Sequence, residues 1–67
     1  MKNKTMEQLR GDKSQRDMAK EIGIPYSTYA MIENGHRFPR RDLQLKLSRH
    51  FKMTVDELFF ALNDRAS

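Results

Sequence analysis

Between Ser14 and Pro39 the chain reads SQRDMAKEIGIPYSTYAMIENGHRFP, and two kinds of chemistry gather there. Tyr26, Ser27 and Met31 supply a phenol ring, a short hydroxyl and a thioether. Wound as a helix at about 100° per residue, Ser27, Ala30 and Met31 turn outward with Tyr26 at the leading edge, and Pro25 stands just ahead of them. None of these groups is a good general acid or base. They suit recognition by hydrogen bonding and van der Waals contact, since serine is a permissive hydrogen-bonder while Met and the Tyr ring can touch methyl groups. Around them stand groups suited to anions. Gln15 lies at a helix start, and Thr28 and Asn34 flank the second helical segment. Arg37, Arg40 and Arg41 place three arginines within five residues. Such a cluster suits phosphate neutralisation, with a merely solvated loop as the bland alternative.

Other chemistry is poorly provided for. The chain has no cysteine, and neither His36 nor His50 has neighbours at metal-ligand spacing, so no metal is expected. His36 adjoins Arg37 and could make a pH-sensitive phosphate contact, whereas His50 reads as an exposed helix residue. Asp12, Asp17, Asp42, Asp56 and Glu57 are dispersed among caps and helix starts, where helix dipoles favour them. They form no general acid/base pair, and there is no Gly-rich phosphate loop. No catalytic residue and no cofactor are expected.

The elements that must position these groups follow from periodicity and caps. Ser14 is an N-cap with Asp17 three residues on, and Met18, Ala19 and Ile22 share one face of a helix over about 15–22. Gly23 breaks that pattern with the positive φ available to glycine, and Ile24 plugs the resulting angle. Pro25, with fixed φ and no amide hydrogen, suits the first turn of a new helix to about Asn34, which turns Tyr29 and Ile32 inward. A helix, a glycine turn and a second helix with a bare polar face is a way of presenting side chains to a DNA groove. Three more helices are predicted. The first runs over about 5–11, with Met6 and Leu9 inward. The fourth, over about 40–51, stacks Leu43, Leu47 and Phe51. The last opens at Thr54 with the capping box Thr54–Glu57, followed by Val55, Leu58, Phe59 and Leu62 at helical spacing. No period-two alternation predicts a strand.

The ordered set Ser14-Gln15, Met18-Ala19, Gly23-Ile24, Ser27-Thr28, Ile32-Glu33-Asn34-Gly35 and Pro39 resembles the Cro/repressor-type (XRE-like) helix-turn-helix family of phage repressors and bacterial transcriptional regulators. The likeness continues through Leu47, Phe51 and Thr54 to Phe59, so that it covers roughly 6–62. It implies an all-α, compact five-helix domain of the lambda-repressor type. The resemblance also implies that an arginine ending the first helix pairs with the glutamate ending the recognition helix. Arg10 and Glu33 match those positions, with solvation of both as the alternative. Three departures stand out. The link between the first two helices is about two residues short, Pro25 replaces a capping Ser or Thr, and Arg41 and Gln44 occupy commonly apolar positions of the fourth helix.

Length and charge agree with that resemblance. Sixty-seven residues are expected to form one domain over 1–67, ordered over about 5–62, with a small apolar core. A net charge of +4 and a pI near 9.8 favour a polyanionic partner. No apolar run reaches membrane length, and the first residues lack a signal peptide's apolar stretch, so a cytoplasmic or nucleoid-associated protein is expected.

The function implied is sequence-specific binding of double-stranded DNA, as a repressor or a phage or mobile-element switch acting on an operator. The base-reading set is Tyr26, Ser27, Met31, Pro25 and Ala30, and the phosphate set is Gln15, Thr28, Asn34, Arg37, Arg40 and Arg41. Without Arg, Gln or Asn on the reading face, discrimination is expected to be shallow and to lean on DNA shape and paired half-sites. Leu45 and Phe60, off their helices' core stripes, are expected to join two copies into a homodimer; filling of gaps beside Arg41 and Gln44 is the alternative. Two rival functions use the same fold. One is a protein-interaction module with a protein partner, such as an antitoxin or anti-repressor, and the other is a nonspecific architectural DNA binder.

Overall fold

The computed structural model describes residues 2–60, and all of its regular structure there is helical: α1 (Lys4–Arg10), α2 (Gln15–Ile22), α3 (Tyr26–Glu33), α4 (Arg41–Phe51) and α5 (Val55–Phe59). Each start has a local cause. Asn3 caps α1 by accepting from Met6 N, and Ser14 caps α2 by accepting from Asp17 N at 3.0 Å. Thr54 and Glu57 complete a reciprocal capping box at α5. Pro25 lies one position earlier than the sequence predicts. At φ −62° and ψ 145° it is the N-cap residue of α3 and offers no side-chain hydrogen bond. Its extended ψ sets the entry of the chain, while its missing N–H costs nothing at a helix start.

Gly23 closes α2 in the left-handed region, φ 91°, and donates to Ala19 O at 2.8 Å, with Ile24 N donating to the same carbonyl. This doubly used carbonyl turns the chain sharply into α3. Lys52 closes α4 in the same conformation, φ 57°, although it is not a glycine. Ser48 Oγ and Met53 N reinforce that corner through Met53 O and Ser48 O respectively.

The core comprises Met6, Met18, Ala19, Ile22, Tyr29, Ile32, Leu47 and Leu58, with Ile24, Leu43, Phe51, Met53 and Phe59 packed around it. Every helix contributes, so α2 and α3 are held from beneath by α1, α4 and α5. Three sequence expectations change. Leu9 is exposed rather than inward, because the short α1 needs only Met6 to reach the core. Gln44, in place of an apolar residue, is buried, and its Nε2 donates to Pro39 O at 3.0 Å; the side chain ties α4 to the preceding loop. Helix α1 ends at Arg10, with Gly11 as its cap. Leu62, expected on the inner face of the last helix, lies outside the described residues.

Candidate nucleic-acid interface

Helix α3 carries one acidic residue, and the fold removes it from the surface. Glu33 is wholly buried. Arg10 grips it with two donors, Nε to Oε1 at 3.0 Å and Nη2 to Oε2 at 2.8 Å. Tyr29 Oη donates to Oε1 at 2.6 Å, and Gln15 Nε2 donates to Oε2 at 3.1 Å. Burial pushes the Glu33 carboxyl up, but the hydrogen bonds from Arg10, Tyr29 and Gln15 outweigh it and hold the group below the ordinary carboxylate range. The Glu33 bond in turn raises the Arg10 guanidinium, against burial. Arg10 also donates through Nη1 to Lys13 O at 2.8 Å, closing the short link between α1 and α2. Among the described residues no buried side-chain nitrogen or oxygen lacks a partner.

This network fixes α3 against α1 and α2. A planar guanidinium bound bidentately tolerates little rotation of the carboxylate it holds. Asn3 adds a second tie, its N–H donating to Glu33 O at 2.7 Å and its Nδ2 to Leu58 O at 3.0 Å, so one residue joins the start of α1 to the ends of α3 and α5. The sequence reading missed Asn3. Its only local signal is an Asn three residues before an apolar position, which marks a cap but not its distant partners.

The outward side of α3 is then free of negative charge. Pro25, Tyr26, Ser27 and Met31 are exposed, and Thr28 and Ala30 are half-buried along its flanks. Gln15 is placed differently from expectation. Its Nε2 is within hydrogen-bond distance of both Glu33 Oε2 and Asn34 Oδ1, each at 3.1 Å, so both amide hydrogens are engaged inside the protein. Asn34, the C-cap of α3, keeps its own Nδ2 for other partners. Beyond it, His36 N and Arg37 N both donate to Met31 O, at 2.8 and 3.2 Å, folding the following loop back onto the last turn of α3. Arg37, Arg40 and Arg41 are exposed, and none makes a salt bridge among the described residues.

Two features were not read from the sequence. The Arg16 guanidinium carbon lies 4.5 Å from the centroid of the Tyr26 ring, so a cation from α2 covers the first residue of α3. Phe38 is 59% exposed, and its ring stands 5.7 Å from that of Phe59 and 5.6 Å from that of Phe60. Phe60 is itself 47% exposed and Leu45 37%. His50 is not simply a solvated helix residue. It packs edge-on against Phe51, with Nε2 3.7 Å from Glu21 Oε1. Among the described residues no group of three or more His, Asp or Glu is placed to hold a metal, and no helix is long and apolar enough to cross a membrane.

A helix-turn-helix family model matches residues 3–58. No curated protein and no solved structure matches the chain. The matched span begins at the Asn3 cap and ends at Leu58, taking in the whole set of elements that lock α3 in place. The chain belongs to the Cro/repressor-type helix-turn-helix family of DNA-binding regulators.

Proposed function

We propose that this protein recognises an operator in double-stranded DNA by laying α3 in the major groove, and that it acts there as a homodimeric transcriptional repressor or switch. One observation carries the reading. The only carboxylate of α3 is buried and neutralised by Arg10, Tyr29 and Gln15, which leaves Tyr26, Ser27, Ala30 and Met31 as an uncharged reading face, with Arg37, Arg40 and Arg41 exposed and in no salt bridge among the described residues. An exposed carboxylate there would repel phosphate, whereas a neutral face bordered by cations accepts the groove. In this reading Tyr26, Ser27 and Met31 meet base edges, with Ala30 and Pro25 in van der Waals contact. Thr28, Asn34, Arg37, Arg40 and Arg41 hold the phosphates. Gln15 sets Asn34 and Glu33 in place, and its part in phosphate binding reduces to the backbone N–H groups of the α2 start.

Dimerisation supplies what a small reading face lacks. Two copies related by a two-fold axis would set their recognition helices about 34 Å apart, one turn of DNA, and double the sequence read. The exposed Leu45 and Phe60 support a contact between copies. Selection from a randomised duplex library, followed by binding to the selected and scrambled sites, tests the function. The expected result is a two-fold symmetric site bound far more tightly than its scrambled form. Equal binding to both indicates an architectural DNA binder. Absence of binding to any duplex indicates a protein-interaction module.

A further inference from the structure

The exposed face of α3 holds no side chain able to make a two-point hydrogen bond to a base edge: Tyr26 and Ser27 each carry a single hydroxyl, and Ala30 and Met31 carry no donor. Such a group stands beside it, on α2. Arg16 is exposed, and its guanidinium lies over the Tyr26 ring, 4.5 Å from the centroid. The guanidinium makes no hydrogen bond or salt bridge to any described residue, and Asp17 next to it is not its partner. Arg10, the other arginine of this region, has Nε, Nη1 and Nη2 all engaged. Arg16 is therefore positioned by a ring and chemically unspent.

We infer that Arg16, held on the Tyr26 ring, is a base-reading residue whose guanidinium donates to O6 and N7 of a guanine next to the base pair that Tyr26 touches. The inference rests on α3 entering the major groove. Given that placement, three points lead to guanine. Tyr26 is the first residue of α3, and the N-terminal residues of a recognition helix are the ones that meet base edges. A guanidinium 4.5 Å from that ring shares its position rather than the outer backbone's. The flat fork of arginine matches the paired acceptors O6 and N7 of guanine, a pattern no other base presents in that groove. The ring also limits the directions open to an otherwise flexible side chain, so less freedom is lost when the fork binds.

The test uses the full chain and a library of duplexes with randomised half-sites. Wild type is expected to select one guanine per half-site more strongly than any other base. Arg16→Ala should lose the preference at that position by about 5- to 150-fold, the 1–3 kcal/mol of a bidentate pair, and keep the others. Tyr26→Phe retains the ring and should retain the guanine, whereas Tyr26→Leu should relax it. Replacing that guanine by 7-deazaguanine, which lacks N7, should weaken wild type and leave Arg16→Ala unchanged. Thermal melts of each variant check that the fold persists. Uniform weakening of all duplexes by Arg16→Ala, with a shallower salt dependence, would make Arg16 a phosphate ligand and overturn the inference. Wild-type binding without any sequence preference overturns both this inference and the operator reading. A preference kept intact in Arg16→Ala overturns this one alone.

Discussion

Tyr29 Oη donates to Glu33 Oε1 at 2.6 Å, one turn along the same helix, and both side chains are fully buried. The bond belongs to α3 itself, but its purpose lies in the neighbouring helices. It fills the acceptor position that Arg10 and Gln15 leave open, so a carboxylate is kept ionised inside the core with its lone pairs satisfied. Buried charges survive only under such conditions. The orientation of α3 is thus set by polar geometry as well as by the packing of Tyr29 and Ile32.

The pair makes stability depend on pH at both ends of the scale. The Glu33 carboxyl is held below its ordinary 4.5, so its contribution is complete above that pH and is lost as pH falls through the folded-state value. Burial, then the Glu33 hydrogen bond, pushes the Tyr29 phenol well above its ordinary 10.0. Its contribution is complete below pH 10.0 and declines above it, where the unfolded tyrosine ionises first. Tyr29→Phe should cost about 1–3 kcal/mol at neutral pH, because an acceptor is left unsatisfied in the core, and should flatten the alkaline decline. Urea unfolding across a pH series measures both, and an unchanged midpoint in Tyr29→Phe would contradict the account.

Arg10→Ala strands the Glu33 carboxylate and should destabilise by about 3–5 kcal/mol. Without its cation Glu33 takes up a proton more readily. The gap between wild type and Arg10→Ala should therefore narrow as the solution is made acidic. A gap that is constant from neutral pH to pH 4 would show that the arginine acts through packing alone.

On DNA, Arg37→Ala should weaken binding to every sequence alike and lower the salt slope by about one. Thr28→Ala should weaken binding equally uniformly. Ser27→Ala should instead shift preference at one or two base pairs, by roughly 1–3 kcal/mol for each true contact. Footprints of all three variants on the selected site distinguish the two behaviours. Identical sequence preference throughout would remove α3 from the reading role.

Self-association should depend on Leu45 and Phe60. Sedimentation of the full chain is expected to give a dimer that Phe60→Ala and Leu45→Ala weaken while changing the unfolding free energy of the monomer by no more than about 0.5 kcal/mol, as surface changes do. Phe38→Ala, which removes the ring facing Phe60, should act in the same direction. A chain that stays monomeric at high concentration and occupies half-sites independently would refute the dimer.

Much of this architecture is local and was legible in the sequence. Ser14, Gly23 and the Thr54–Glu57 box act on backbone groups within a few residues, so their types mark helix ends directly. The apolar spacing that turns Tyr29 and Ile32 inward likewise leaves Tyr26, Ser27 and Met31 outside. The left-handed end of α4 at Lys52 was not legible. No glycine marks it, and the conformation is held by Ser48 and Met53 around it. The remaining gaps all concern groups brought together across the chain. Only the tertiary structure decided that Gln15 faces Glu33 and Asn34 instead of solvent, that Asn3 reaches Leu58, that Arg16 lies on Tyr26, and that Phe38 meets Phe60. A side chain's partner is set by the angles between helices, which depend on how the whole core packs, whereas a cap or a turn is set by the residue that forms it.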